Sequence, residues 1–176
     1  MTQSTLTVED GTGVNGADSY CTTAYIDTYW GNRPQLAFST AWLALDQAHK
    51  DGCAREATAY LDAMFGPYYR GRRRGFVQGL FWPRSDALDI EGYPLPDLPP
   101  NLMMAVAELA ARAASAPLAD DLDRGGDVRT LKAGSVEITY APDAAQNTRY
   151  GIVNDLIANL LTGSQPHAPN ERWTWA

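Results

Sequence analysis

The sequence has little of what catalysis and metal binding require. Its 176 residues include two histidines and two cysteines. His49 and His167 lie far apart. Cys21 and Cys53, both in helix-like segments, match neither zinc-ligand spacing nor a disulfide framework and read as small buried hydrophobes. No metal site and no cofactor are expected. Phosphate-cradling, nucleophile-elbow and HExxH motifs are missing. Adjacent carboxylates occur at Glu9–Asp10 and Asp120–Asp121 in loop-like contexts, which read as solvated acidic turns rather than an acid and a base. The chain is therefore not expected to be an enzyme. No apolar run approaches the roughly 20 residues that span a bilayer, so no membrane partner is expected. The polar start "MTQSTLTVEDGTG" lacks the basic segment and apolar core of a signal peptide, which points to use in a cytoplasm or in something assembled there.

Positive charge is also scarce. Fourteen Lys and Arg stand against 21 Asp and Glu, for a net charge of -7 and a pI near 4.7. That balance disfavours general nucleic-acid binding, which needs a positive face to neutralise phosphate. The cationic residues concentrate in "YRGRRRG", with Arg70, Arg72, Arg73 and Arg74. This run reads either as an exposed, solubilising turn or as a contact to an acidic partner or passing nucleic acid. A guanidinium fork suits carboxylate and phosphate equally.

What is present is helical patterning broken by turns. Residues 1–17 are rich in Gly, Thr and Asn and read as loop. Asp18 or Ser19 could cap a helix to about Trp30, with Tyr25, Ile26, Tyr29 and Trp30 on one face. "WGNRP" ends it. A longer helix starts near Ser39 or Asp46 and runs to about Phe65; Gly52 inside it costs about 1 kcal/mol against alanine, so a break there is allowed. Gly66-Pro67 stops that helix, and another is expected from about Pro100 to Ser115, with proline suited to the first turn. Its apolar face is Leu102, Met103, Val106, Leu109, Ala110 and Ala113. "VRTLKAGSVEITYA" alternates apolar and polar residues and predicts a hairpin near 128–141, turning at Ala133-Gly134. A last helix is expected from about Arg149 to Leu161. The pattern predicts a mainly α fold: a small bundle of about four helices, one β-hairpin and extended N- and C-terminal segments. Residues 1–163 are expected to form a single domain and 164–176 an extended arm.

Two stretches stand outside that pattern. "FWPRSDALDIEGYPLPDLPPNL", from Phe81 to Leu102, carries five prolines and can be neither a long helix nor a central strand. Its Phe81, Trp82, Leu88, Ile90, Tyr93, Leu95 and Leu98 favour burial, so it reads as an ordered strap with apolar anchors. Trp82, Pro83 and Tyr93 are the expected structural anchors. The chain ends in "PHAPNERWTWA", whose tryptophans either fold back on their own domain or insert into a partner.

The order "VEDGTGVNGADSY", "AWLALDQAHKDGCAREATAYLDAMF", "GLFWPRSDALDIEGYPLP", "LPPNLMMAVAELAARA" and "VEITYA" resembles the head–tail adaptor (connector) proteins of tailed bacteriophages. Related chains also carry the label DnaT-like single-stranded DNA-binding protein. The resemblance spans roughly Val8 to Leu161. It departs from the usual pattern at Gly52-Cys53 and in the long tail beyond Gly163. It implies a structural virion protein at the head–tail interface, assembled in the bacterial host cytoplasm. Its partners would be the portal protein, neighbouring copies in a homo-oligomeric ring, typically a dodecamer, and a downstream stopper or tail protein. Genomic double-stranded DNA would pass through an acidic lumen without sequence-specific binding. The resemblance further implies that the arm, with Arg172, Trp173, Thr174, Trp175 and Ala176, docks on the portal. Arg84 would face a neighbour or a carboxylate, and Arg70, Arg72, Arg73 and Arg74 would contact a neighbour or partner. The alternative is the single-stranded DNA-binding protein of the second label, with Arg70 to Arg74 beside Tyr68 and Tyr69 as its groove.

Overall fold

Helix α4 (Pro100–Ala113) is the element around which the others gather. It packs against α1 (Thr23–Gly31), α2 (Ala37–Leu43), α3 (Gln47–Phe65) and α5 (Gly151–Ile157), most extensively against α3. A helix approached from several sides needs small residues, and Ala105, Ala107, Ala110 and Ala111 are fully buried beside Leu102, Val106 and Leu109. Pro100 opens it at a position whose amide has no helical partner. The computed structural model describes residues 5–119, 130–133, 136–139 and 150–163. These fall into two units, Met1–Leu118 with Tyr150–Ala176, and Ala119–Arg149.

The architecture is mainly α, as the pattern predicts, with five helices among the described residues where the pattern gives about four. The extra one arises because the second predicted helix is two. α2 ends at Leu43, and α3 starts afresh with Asp46 as its cap, whose carboxylate accepts from His49 N at 2.9 Å. Gly52 makes no break; it lies inside α3, where nothing stands within 4 Å of a Cβ added there. At α1 the cap is Thr22, accepting from Tyr25 N at 3.1 Å, and not Asp18 or Ser19. Asp18 instead accepts from Thr7 N at 2.8 Å and pairs with Arg55 at 2.6 Å, fastening the N-terminal segment to α3. Cys21 is buried just before α1, and burial pushes its thiol up to about 12; Cys53 is partly buried.

Two of the three fully buried indoles find polar partners from this framework, while Trp82 Nε1 has none. Trp30 Nε1 donates to Ala107 O at 2.9 Å, and Trp42 Nε1 to Asp27 at 2.7 Å. Glu108, buried on α4, accepts from Tyr29 Oη at 2.5 Å and from Arg112 at 2.6 Å, so its charge is compensated inside the bundle. After α5 a single 3₁₀ turn, Ala158–Leu160, brings Leu160 and Leu161 into the core.

In the second unit, β3 (Thr130–Ala133) pairs antiparallel with β4 (Val136–Thr139). The register pairs Ala133 with Val136; Gly134, in the predicted turn, lies outside the described residues. Asp120, Asp121, His167 and the predicted arm 164–176 lie outside the described residues.

Candidate functional site

The N-terminal glycine-rich segment folds on a carboxylate. Glu9 is buried, contrary to the expected solvated turn, and accepts from Gly11 N, Gly13 N and Val14 N, each at 2.9 Å. Converging amides of this kind make an anion cradle, and here the anion is the chain's own. Gly11 sits at φ +94°, where a Cβ would be strained and within 3.2 Å of Asp97 Cβ.

The basic turn and the strap form one structure. β1 (Arg72–Arg73) pairs antiparallel with β2 (Arg84–Ser85). The close approach requires Gly71, whose φ is +70° and whose Cβ would come within 2.4 Å of Ser85 O. Arg84 lies close enough to Asp62 to feel its charge, but its hydrogen bonds go to backbone carbonyls. Its guanidinium donates to Arg70 O at 2.6 Å, Gly71 O at 2.7 Å and Phe81 O at 3.3 Å. A bend that exposes several carbonyls to a partly buried space draws in a donor with several N–H groups. Arg73 donates to Gln78 O at 2.6 Å and lies over the Phe81 ring. Arg74 donates to Gly11 O at 2.9 Å and pairs with Asp97, whose carboxyl it holds below the usual range. Arg72 pairs with Asp86 at 2.9 Å, but both are largely exposed and the pair contributes little. Arg70 joins through its backbone, donating to Leu160 O at 2.9 Å.

Trp82 and Pro83, expected as anchors, are both buried, and the peptide between them is cis. Trp82 N donates to Tyr20 Oη at 3.2 Å, and Tyr20 Oη donates to Asp62 at 2.6 Å. Phe81 N donates to the other Asp62 oxygen at 3.0 Å. Burial raises the Asp62 carboxyl to about 6, against the opposing pull of these bonds and of Arg73 and Arg84. The strap is therefore seated on the C-terminal part of α3 through one buried carboxylate.

Tyr93 is not an anchor; it is 66% exposed. The strap leaves the core after Ala87 and returns at Leu95, whose amide donates to Ala87 O at 2.8 Å. Between them a tight loop closes on Asp89, whose carboxylate accepts from Glu91 N at 2.9 Å and Tyr93 N at 2.8 Å. That closure leaves Leu88, Ile90 and Tyr93 exposed, against the expectation of burial.

A second apolar tip precedes the strap. Phe76 is 97% exposed and Val77 66%. The tip is braced, because buried Gln78 accepts from Gly75 N at 2.8 Å and donates to Leu80 O at 2.8 Å and Pro83 O at 3.1 Å. Gly79 N adds a bond to Val14 O at 3.1 Å. Sequence reasoning missed this tip, along with Glu9 and Asp62. Its signal is the apolar pair in "GFVQG", bounded by glycines directly after the arginines. Arg172, Trp173, Thr174, Trp175 and Ala176 lie outside the described residues.

These features define a class: a small, mainly helical domain whose distinctive surface is loop-built, one apolar tip lying just before the strap and another on it. The chain belongs to the family described as "Putative DnaT-like ssDNA binding protein", which matches residues 4–172. No curated protein and no solved structure matches it significantly.

Proposed function

We propose that this chain is a structural virion protein of a tailed bacteriophage, a head-to-tail adaptor that forms a ring under the portal, extends the DNA channel and connects the filled head to the tail. The reading rests on what the basic turn and the strap expose and what they keep occupied. Phe76, Val77, Ile90 and Tyr93 are exposed on shaped tips, as suits a surface that meets other proteins. Arg73, Arg74 and Arg84 spend their donors on the chain's own carbonyls. An acidic net charge suits a lumen along which DNA slides, since attraction to phosphate would retard it. In this reading the chain catalyses nothing and holds no cofactor. Its partners are the portal, neighbouring subunits and a stopper or tail protein, and the arm 164–176 reaches the portal. Negative-stain imaging of the purified chain mixed with its portal rings tests this: an added ring layer is expected, and bare portals at saturating protein would overturn it.

A second reading has specific support. The family description speaks of single-stranded DNA binding, and an exposed Phe76 beside Arg72, Arg73 and Arg74 has the residue types that stack bases and track a backbone. Titrating a single-stranded oligonucleotide at rising salt separates the two. Tight binding that collapses steeply with salt supports this second function; absence of binding at low salt removes it.

A further inference from the structure

We propose that the Phe76–Val77 tip is an assembly finger that seats in a cavity on a second copy of this chain. This deepens the ring reading above and rests on it only for ring closure. The finger is preformed. Gln78, Arg73 and the Gly79–Val14 bond hold its base, so docking orders little new chain. Phe76, almost wholly in water, has the most apolar surface to gain from a socket.

The socket is a cavity of about 660 Å³ between the N-terminal segment and the start of α3. Its volume falls in the roughly 300–1,000 Å³ range of binding clefts. Leu6 and Val8 supply apolar lining, and Asp46, Gln47 and Asp51 polar lining. Asp46 pairs with His49, and Asp51 accepts from the Gln47 amide at 2.7 Å; among the described residues no lysine or arginine bridges either carboxylate. The base of the finger is the opposite sign. Arg72 and Arg74 each pair with one carboxylate, while Arg73 donates to a carbonyl, lies over a ring face and reaches Asp62 only through longer-range attraction. An aromatic between surplus guanidinium charge matches an apolar cavity edged by surplus carboxylate.

The arrangement selects a second copy rather than the same chain. The strap is seated at the C-terminal part of α3 through Asp62, and the socket lies at its N-terminal end around Ala48. These ends are about 20 Å apart along the helix axis. Donor and acceptor are different patches, so the contact is heterologous and propagates head to tail, closing into a ring if the rotation per copy allows.

Disulfide trapping tests the contact. Two proteins, both carrying Cys53→Ser, are prepared, one with Phe76→Cys and one with Gln47→Cys, then mixed under mild oxidation. A cross-linked heterodimer is expected in at least tenfold excess over a control mixture of Ile90→Cys with Gln47→Cys. Equal yields would overturn the proposal. In sedimentation, Phe76→Asp should shift the concentration-dependent rise in mass at least tenfold upward while the melting temperature holds, since the side chain is exposed. An unchanged rise, or a variant that loses only oligonucleotide binding, would overturn it too. Cross-linking without portal binding would sink the adaptor reading and leave this contact standing. Rings on the portal that form equally well with Phe76→Asp would do the reverse.

Discussion

Asp62 should make the protein more stable in mild acid than at neutral pH. Its carboxyl is largely buried, and burial lifts its pKa from 3.8 to about 6. Between those values the folded chain keeps a proton that the unfolded chain has released, so stability falls as pH rises through the window. The contribution is complete below about pH 3.8 and gone above about pH 6. A displacement of this size corresponds to about 3 kcal/mol in total. The part recovered on moving from pH 7.5 to pH 5.0 is about 1.4 kcal/mol. Carboxyls held low behave oppositely: Asp10, Asp46 and Asp97 lose their contribution only as pH falls below their ordinary value near 3.8, outside this interval. Urea unfolding at pH 5.0 and 7.5, at fixed ionic strength, measures the effect in the parent chain and in Asp62→Asn. Asparagine keeps the shape and cannot ionise, and every other group is common to the two proteins and cancels in the difference. The parent should gain about 1.4 kcal/mol more than the variant in the acid step. A difference below about 0.3 kcal/mol, or one of opposite sign, would mean that Arg73 and Arg84 hold Asp62 ionised and would refute the reasoning.

Three further outcomes are expected. Trp82→Ala removes a fully buried indole and should cost about 3–5 kcal/mol, read as a fall in the urea midpoint; an unchanged midpoint would show that the strap is not a core element. Glu9→Gln turns one of two buried acceptor oxygens into a donor facing backbone amides and should cost about 1–3 kcal/mol, with faster hydrogen exchange at Gly11, Gly13 and Val14. Truncation after Gly163 should leave the melting temperature unchanged but abolish co-sedimentation with portal rings; retained binding would place the portal contact elsewhere.

Elements whose cause is local were legible in the sequence. The spacing of Ala54, Ala57 and Leu61 and the proline before Asn101 announce α3 and α4, and the alternation in "VEIT" announces β4. Gly52 misled because its propensity cost is small beside the burial α3 gains from its other face. The site was much less legible. Tyr20 meets Asp62 across 42 positions, and Arg74 meets Gly11 across 63. No periodicity marks such pairs. The strap's ordering was readable from its prolines, but which of its apolar residues are buried was not. Burial there follows the loop closed on Asp89, which turns Ile90 and Tyr93 outward while Trp82 goes in.

The same distance explains why the arginine run reads ambiguously as sequence. A chain segment with five prolines lacks five amide donors, and its geometry keeps most remaining amides out of regular ladders. Its carbonyls still need partners wherever water is excluded. The arginines serve one carbonyl of the strap and several of the segments that flank it: Arg84 serves Phe81 O at the start of the strap together with Arg70 O and Gly71 O, Arg73 serves Gln78 O, and Arg74 serves Gly11 O. The cost is visible at Arg84, whose pKa is lowered by its partial burial. A phosphate competing for Arg84 would strip donors from three carbonyls at once, at about 1–3 kcal/mol for each one left buried and unpaired. Arg72, tied only to an exposed Asp86, is free of that penalty. The basic turn is thus largely committed to its own bend, to the N-terminal segment and to the start of the strap. Any charge left for a partner lies at Arg72 and Arg73, at the root of the Phe76 tip.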